Sequence, residues 1–238
     1  MNKIIKHTSS WVQLFRGKDT SGIPAPDDTE QKGLDTVYTL GDTSKLLGHS
    51  PRVAVIGTRD ANQRDIQTVE RIIFSIAASG QSPVILSGLA LGVDARAHLY
   101  ALSAGLPTVA VMPTGLDEIY PRMHRELAEK IIDTPGCCLL SQFPEKTAPI
   151  AINFLTRNHT IARLADLVVV VASKHKGGAM VTARIARSYD TPALAVPGHP
   201  DDTHNKGCNQ LIKEGTAQML ADFEELKDII KTIDTWKP

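Results

Sequence analysis

The chain of 238 residues is long enough for one full α/β domain with a well-buried core, or for two small domains. Lys+Arg and Asp+Glu are equal at 26 each, so no global field draws it to nucleic acid or membrane, and any polyanion site must be a local concentration of charge. Cys137, Cys138 and Cys208 form neither a disulfide framework nor a CxxC metal knuckle, and the absence of an apolar run of about 18 residues or a signal-peptide pattern leads us to expect a soluble, cytoplasmic protein with no membrane partner.

Residues 1–50 are polar and punctuated by Gly and Pro, which predicts an irregular N-terminal arm with one short helix near "SSWVQLF" at 9–15. From Pro51 to the end the text is regular, and 51–238 is expected to form one domain. Short apolar runs stand at 53–56, 84–87, 108–112, 138–140, 167–172 and 193–197. Helix-length amphipathic segments lie between most of them, at 62–79, 93–104, 122–132, 153–164 and 179–189, and "ADFEELKDIIKTI" closes the chain. Strands buried on both faces read as unbroken apolar runs, and helical crossovers force parallel pairing. The pattern predicts an α/β fold: a doubly wound, mostly parallel sheet with helices on both faces.

In such a sheet ligands bind beyond the carboxyl ends of the strands. The first strand is followed there by Gly57, Thr58 and Arg59. The second ends at Ser87 and Gly88, within "SGLALGVD". The third leads to Gly115, Arg122 and His124, and the run at 167–172 leads to Lys174, Lys176, Gly177, Gly178 and Thr182. Glycine lets a ligand approach the backbone, amides donate, and Arg or Lys supplies charge, as a phosphate-bearing ligand requires. No GxGxxG follows the first strand and no GxxxxGK[ST] is present, which argues against a dinucleotide site or a P-loop.

The segment "NFLTRNHTIARL" sets Asn153, Phe154, Arg157, Asn158 and His159 together on one helix. Phe154 suits base stacking, with Arg157, Asn158 and His159 as phosphate or base contacts. Several other groups have structural readings. Asp94 is a helix N-terminal residue meeting free amides, His98 a packing histidine, Cys137–Cys138 part of a core strand, and "HPDDTHN" a solvated turn.

The ordered blocks "VAVIGTR", "SGLALGVDARAH", "AVMPTGLDEIYP", "LLSQFP", "NFLTRNHTIARLAD", "GGAMVTARIA", "AVPGHP" and "GCNQLIKEG" resemble the DNA-processing protein A (DprA/Smf) family from Pro51 to about Ile230. The resemblance implies an extended Rossmann-like domain that binds single-stranded DNA without hydrolysing it, with no catalytic residue, cofactor or metal. It further implies protection of incoming DNA in natural transformation, loading of a RecA-type recombinase, and a homodimer. Carried over residue by residue, Arg59 takes the place of the family's GSR/GTR arginine. Phe154, Arg157 and Asn158 fall on its NF…RNR segment, and Gly177, Gly178 and Thr182 on its SGSxxTA turn. Arg122 sits beside Tyr120–Pro121, where the family often keeps basic character.

Two departures stand out: Leu91 where the family commonly has Lys or Arg, and His159 for the second Arg of RNR. A histidine at a phosphate would aid binding only while protonated. The winged helix and helical N-terminal domain of many relatives have no counterpart in these 238 residues. Two alternatives share the superfamily: a LOG-type nucleoside-monophosphate phosphoribohydrolase and a small-nucleotide sensor. Overlaying the first one's PGGxGTxxE signature on "GGAMVTARI" puts Ile185 at its glutamate, leaving an oxocarbenium-like transition state without its carboxylate.

Overall fold

The computed structural model describes residues 3–7, 14–16, 18–20, 22–24 and 36–233. In chain order the strands are β1 (Ile5–His7), β2 (Val37–Gly41), β3 (Arg52–Ile56), β4 (Val84–Ser87), β5 (Thr108–Met112), β6 (Cys138–Ser141), β7 (Leu167–Val170), β8 (Ala193–Ala195) and β9 (Gln218–Met219). The helices are α1 (Ser44–Leu47), α2 (Gln63–Ala77), α3 (Val93–Ser103), α4 (Arg125–Asp133), α5 (Ala151–Leu164), α6 (Gly178–Ser188), α7 (Lys206–Lys213) and α8 (Glu225–Thr232). All strands join one sheet in the order β1-β2-β6-β5-β4-β3-β7-β8-β9. Pairing from β6 to β9 is parallel, and β1 and β2 add an antiparallel edge.

Side-chain alternation along the strands builds a core on each face of the sheet, in three clusters among the described residues. On β3, Ala54 and Ile56 face a cluster filled by α5, α6 and α7, whereas Val53 and Val55 face one filled by α2, α3 and α8. Burying each such aliphatic side chain contributes on the order of 2 kcal/mol. Helix α2 starts cleanly because Asn62 and Asp65 form a reciprocal capping box.

The chain moves outward from β3 through β4, β5 and β6, then returns through α5 to place β7 on the other side of β3. Strand order therefore reverses between β3 and β7, and a crevice opens there beyond their carboxyl ends.

The expected irregular arm needs correction. Within 1–50, Val37–Gly41 is a strand paired with Cys138–Ser141, and Ile5–His7 extends that edge. Of the helix expected at 9–15, residues 9–13 lie outside the described residues. The arm is also tied down electrostatically: Arg16 and Lys18 each reach Asp166 at 3.1 Å. Arg52, fully buried, donates to the carbonyls of Leu14 and Leu46, and burial brings its guanidinium down to about 9. These partners are distant in sequence, so local composition could not announce them. Strand β9 and helix α7 are likewise additions to the elements expected from the sequence.

Candidate functional site

A cleft of about 380 Å³ opens at the β3/β7 crevice. Gly57, Thr58, Arg59, Phe154, Arg157, Asn158, Gly177, Gly178 and Thr182 all line it, together with Asp94, Ser173 and Lys174. Each comes from a segment that must emerge at this edge. The loop after β3 brings Arg59, the inner face of α5 brings Phe154, Arg157 and Asn158, and the loop after β7 runs into the start of α6.

Arg59 is exposed at the rim and lies over the Phe154 ring, Cζ 5.1 Å from its centroid, while Tyr120 meets the same ring edge-on at 5.7 Å. The three make a cation–aromatic shelf. Beneath the shelf, Arg157 is only 5% exposed; its Nη1 donates to the Val111 carbonyl at 3.2 Å and its Nε has no partner among the described residues. Burial lowers the Arg157 guanidinium, nearby Asp94 raises it and Arg59 lowers it further.

Asp94, in the first turn of α3, is the buried acid of this floor. It accepts from the Gly88 amide at 3.2 Å. Burial pushes its carboxyl up, against the opposing pull of Arg157 and of the Ala90, Gly88 and Gly57 amides. At the opposite wall α6 begins at Gly177 with no side-chain cap and no acidic residue in its first turn, so Gly178 and Ala179 present an uncompensated helix N-terminus. Lys174 joins the wall but is held by Asp60 at 2.8 Å, an exposed pair that also holds the Asp60 carboxyl below its usual range.

Two glycines are required by the close packing. Gly92 has φ +74°, and a Cβ there would approach the Thr58 carbonyl to 2.4 Å. Gly88 makes room for Arg157 and lines an apolar slot beside the cleft with Ala90, Leu91, Tyr120 and Phe154.

Other expected site residues lie elsewhere. Ser87 is fully buried and donates to the Val55 carbonyl at 2.7 Å, because its side chain points into the sheet. Asn153 is buried and closes the turn before α5 by donating to the Ala148 carbonyl at 3.0 Å. Arg122 is exposed and pairs with Glu118 at 2.9 Å, away from the cleft lining. His159 sits on a different face of α5 from Phe154 and Arg157. Its Nδ1 lies 2.9 Å from the Tyr189 hydroxyl, and burial lowers its pKa. The sequence placed Lys174 at this edge and read Asp94 as a helix N-terminal residue meeting free amides; it did not assign Leu91 or Tyr120 to the site. Lys174 carried a signal there, standing just past an apolar run, whereas the inward turn of Asp94 depended on Arg157.

The arrangement brings cations, helix N-terminal amides and an aromatic face to one cleft, groups whose chemistry suits an anionic ligand bearing a ring. The Thr182 and Ser173 hydroxyls near the cleft donate to the Gly178 and Lys174 carbonyls rather than to a base. No group of three His, Cys, Asp or Glu side chains able to hold a metal occurs among the described residues. None of the described helices is long and apolar enough to cross a membrane.

The fold and its cleft define a doubly wound, Rossmann-like protein with a crevice lined by arginine and glycine residues at its switch point. The sequence model of the family described as "DNA recombination-mediator protein A" matches residues 31–234, and the chain belongs to that family. It is 34% identical over 214 residues to Protein Smf of Synechocystis sp., covering 86% of this chain and 53% of that one. It thus spans about half the length of that curated relative. The X-ray structure of DNA processing protein A from Streptococcus pneumoniae matches with TM-score 0.80 and 27% identity, covering 98% of this chain and 75% of that one. DNA processing protein A from Helicobacter pylori, studied for its single-stranded DNA binding mode, matches with TM-score 0.76 and 30% identity, covering 89% and 94%.

Proposed function

We propose that this chain binds single-stranded DNA in the β3/β7 cleft and does not convert it. The observation that carries this is the Arg59–Phe154 shelf set above the buried, partly unpartnered Arg157. Stacking on an aromatic ring beside guanidinium groups grips successive bases of an unpaired strand, whose bases are free to splay. A duplex keeps its bases stacked inside, out of reach of the ring. The binding mode named for the Helicobacter pylori relative supports the same ligand.

The wider role we infer is that implied by the family: protecting single strands and loading a RecA-type recombinase during natural transformation or recombination, as a cytoplasmic homodimer. A phosphoribohydrolase reading is weaker because Ile185, at the position of its glutamate, packs against the core. The test is a gel-shift comparison of single- and double-stranded oligonucleotides across a salt series. Preference for the single strand, with affinity falling as salt rises, is expected. Equal binding of duplex, or affinity indifferent to salt, would overturn the reading.

A further inference from the structure

A second cavity of about 330 Å³ opens beyond the ends of β7 and β8, between the start of α2 and Phe223. The walls of the two are joined: the amide of Ser173, on the first, donates to Asn205 Oδ1, on the second, at 3.0 Å. Around the rim, Arg59 of the first and Asn62 of the second are three residues apart in sequence, a span on the order of 10 Å.

Its lining includes two acids and two cations, and their commitments differ. Asp65 accepts from the Asn62 amide at 2.9 Å and meets His204 Nε2 at 2.7 Å. Asp202 accepts from the His204 amide at 2.8 Å. Asp65 thereby fastens the loop after β8 onto α2, and Asp202 is engaged within that loop. The guanidinium groups of Arg64 and Arg71, by contrast, make no hydrogen bond or ion pair among the described residues. Arg71 lies over the Phe223 ring, Cζ 4.1 Å from its centroid, which makes the pair a cationic shelf. Gln67 and Thr68 add polar groups between the two arginines.

We propose that this cavity is a second nucleotide subsite, in which Arg64 meets a phosphate and the Arg71–Phe223 shelf a base of the same single strand that enters the first cleft. This rests on the single-strand reading above. Phosphate-bearing nucleotides fit because unpaired guanidinium groups suit phosphate oxygens, and a backed guanidinium plane stacks on bases. The strand is favoured over a free nucleotide by the shared wall, since a chain leaving the first cleft past Asn205 arrives at Arg64 and Arg71.

The experiment compares the wild type with an Arg64→Ala/Arg71→Ala double variant, using oligothymidylates of about six and about twenty nucleotides and, separately, thymidine monophosphate. Both arginines are exposed, so the variant should keep its thermal unfolding midpoint. The longer oligonucleotide should bind at least about five-fold more weakly to the variant, with a salt slope lower by about one unit, while the shorter one binds both proteins alike. Unchanged affinity for the longer oligonucleotide would overturn the proposal, as would an equal loss for both lengths. So would thymidine monophosphate binding that disappears in the variant while the longer oligonucleotide is unaffected. A wild type that binds neither oligonucleotide would instead sink the single-strand reading itself.

Discussion

Arg157 occupies the space that any side chain on Gly88 would need: a Cβ at position 88 would lie 1.4 Å from Arg157 Nη1. The turn after β4 thus serves as a socket, and Asp94, hydrogen-bonded to the Gly88 amide, forms its other wall. The missing side chain answers a spatial demand, since the Gly88 backbone is not among the positive-φ positions.

Gly88→Ala should therefore expel Arg157 from the cleft floor. Overpacking of this kind costs about 1–3 kcal/mol, and losing a charged hydrogen-bond donor to phosphate should weaken oligonucleotide binding by roughly ten-fold or more. Urea unfolding and fluorescence anisotropy measure the two effects. An alanine variant that binds as tightly as the wild type would show that Arg157 does not touch the strand.

Arg59 and Phe154 should separate by their salt behaviour. If the strand's phosphate meets Arg59 as proposed, Arg59→Ala should lower the salt slope by about 0.7 while stability changes by less than about 0.5 kcal/mol. Phe154→Ala should cost about 1–3 kcal/mol of binding with the slope nearly unchanged. Affinities measured from low to high salt distinguish them, and identical slope changes for the two variants would contradict the assignment.

His98 should make the fold acid-sensitive. Its Nδ1 lies 2.7 Å from the Thr108 hydroxyl, whose own proton goes to the Ile85 carbonyl, so Nδ1 is the donor and Nε2 is left with an unpartnered lone pair. A proton added to Nε2 would find no acceptor, and burial brings the imidazole down to about 3. With the folded value below the unfolded one, the unfolded chain binds the extra proton. Stability is then fully present above about pH 6.5 and lost progressively as pH falls toward the folded value. Between about pH 7 and pH 5 this should amount to about 2 kcal/mol. Urea unfolding across that range should show the loss, and His98→Gln should flatten it. An equally steep profile in the variant would assign the acid sensitivity to other groups.

His159 should not govern the pH dependence of DNA binding. A histidine at a phosphate would have its pKa raised, but burial lowers that of His159, and its ring is engaged with Tyr189 away from the cleft lining. Being depressed in the fold, its neutral form favours stability above the unfolded pKa, and protonation at lower pH opposes it. His159→Gln should leave the ratio of affinities at about pH 6 and about pH 8 unchanged. A ratio that collapses in the variant would return His159 to the DNA path.

Much of the chain was legible because its signals are local. Uninterrupted apolar runs at 84–87 and 108–112 coincide with β4 and β5, since strands covered on both faces have no reason to alternate. The order of runs and helices implied parallel pairing, and that pairing gathers the loops after β3 and β7 at one edge. Gly57, Arg59, Gly177 and Thr182 therefore meet despite their separation in sequence. The eight motif blocks carried the family.

Only the tertiary structure decided which side of a helix faces the ligand and what occupies the neighbouring space. Phe154, Arg157 and His159 lie within six residues on α5, yet the first two line the cleft and the third turns to Tyr189, because packing against α6 fixes the helix rotation. Ser87 ends its strand pointing inward, and Arg122 finds Glu118. Val37–Gly41 becomes a strand because Cys138–Ser141, about a hundred residues on, offers it an open edge. Periodicity reports which residues must leave water; it does not report their partners. Those are set when the helices close over both faces of the sheet and Arg157 fills the space that Gly88, lacking a side chain, leaves open.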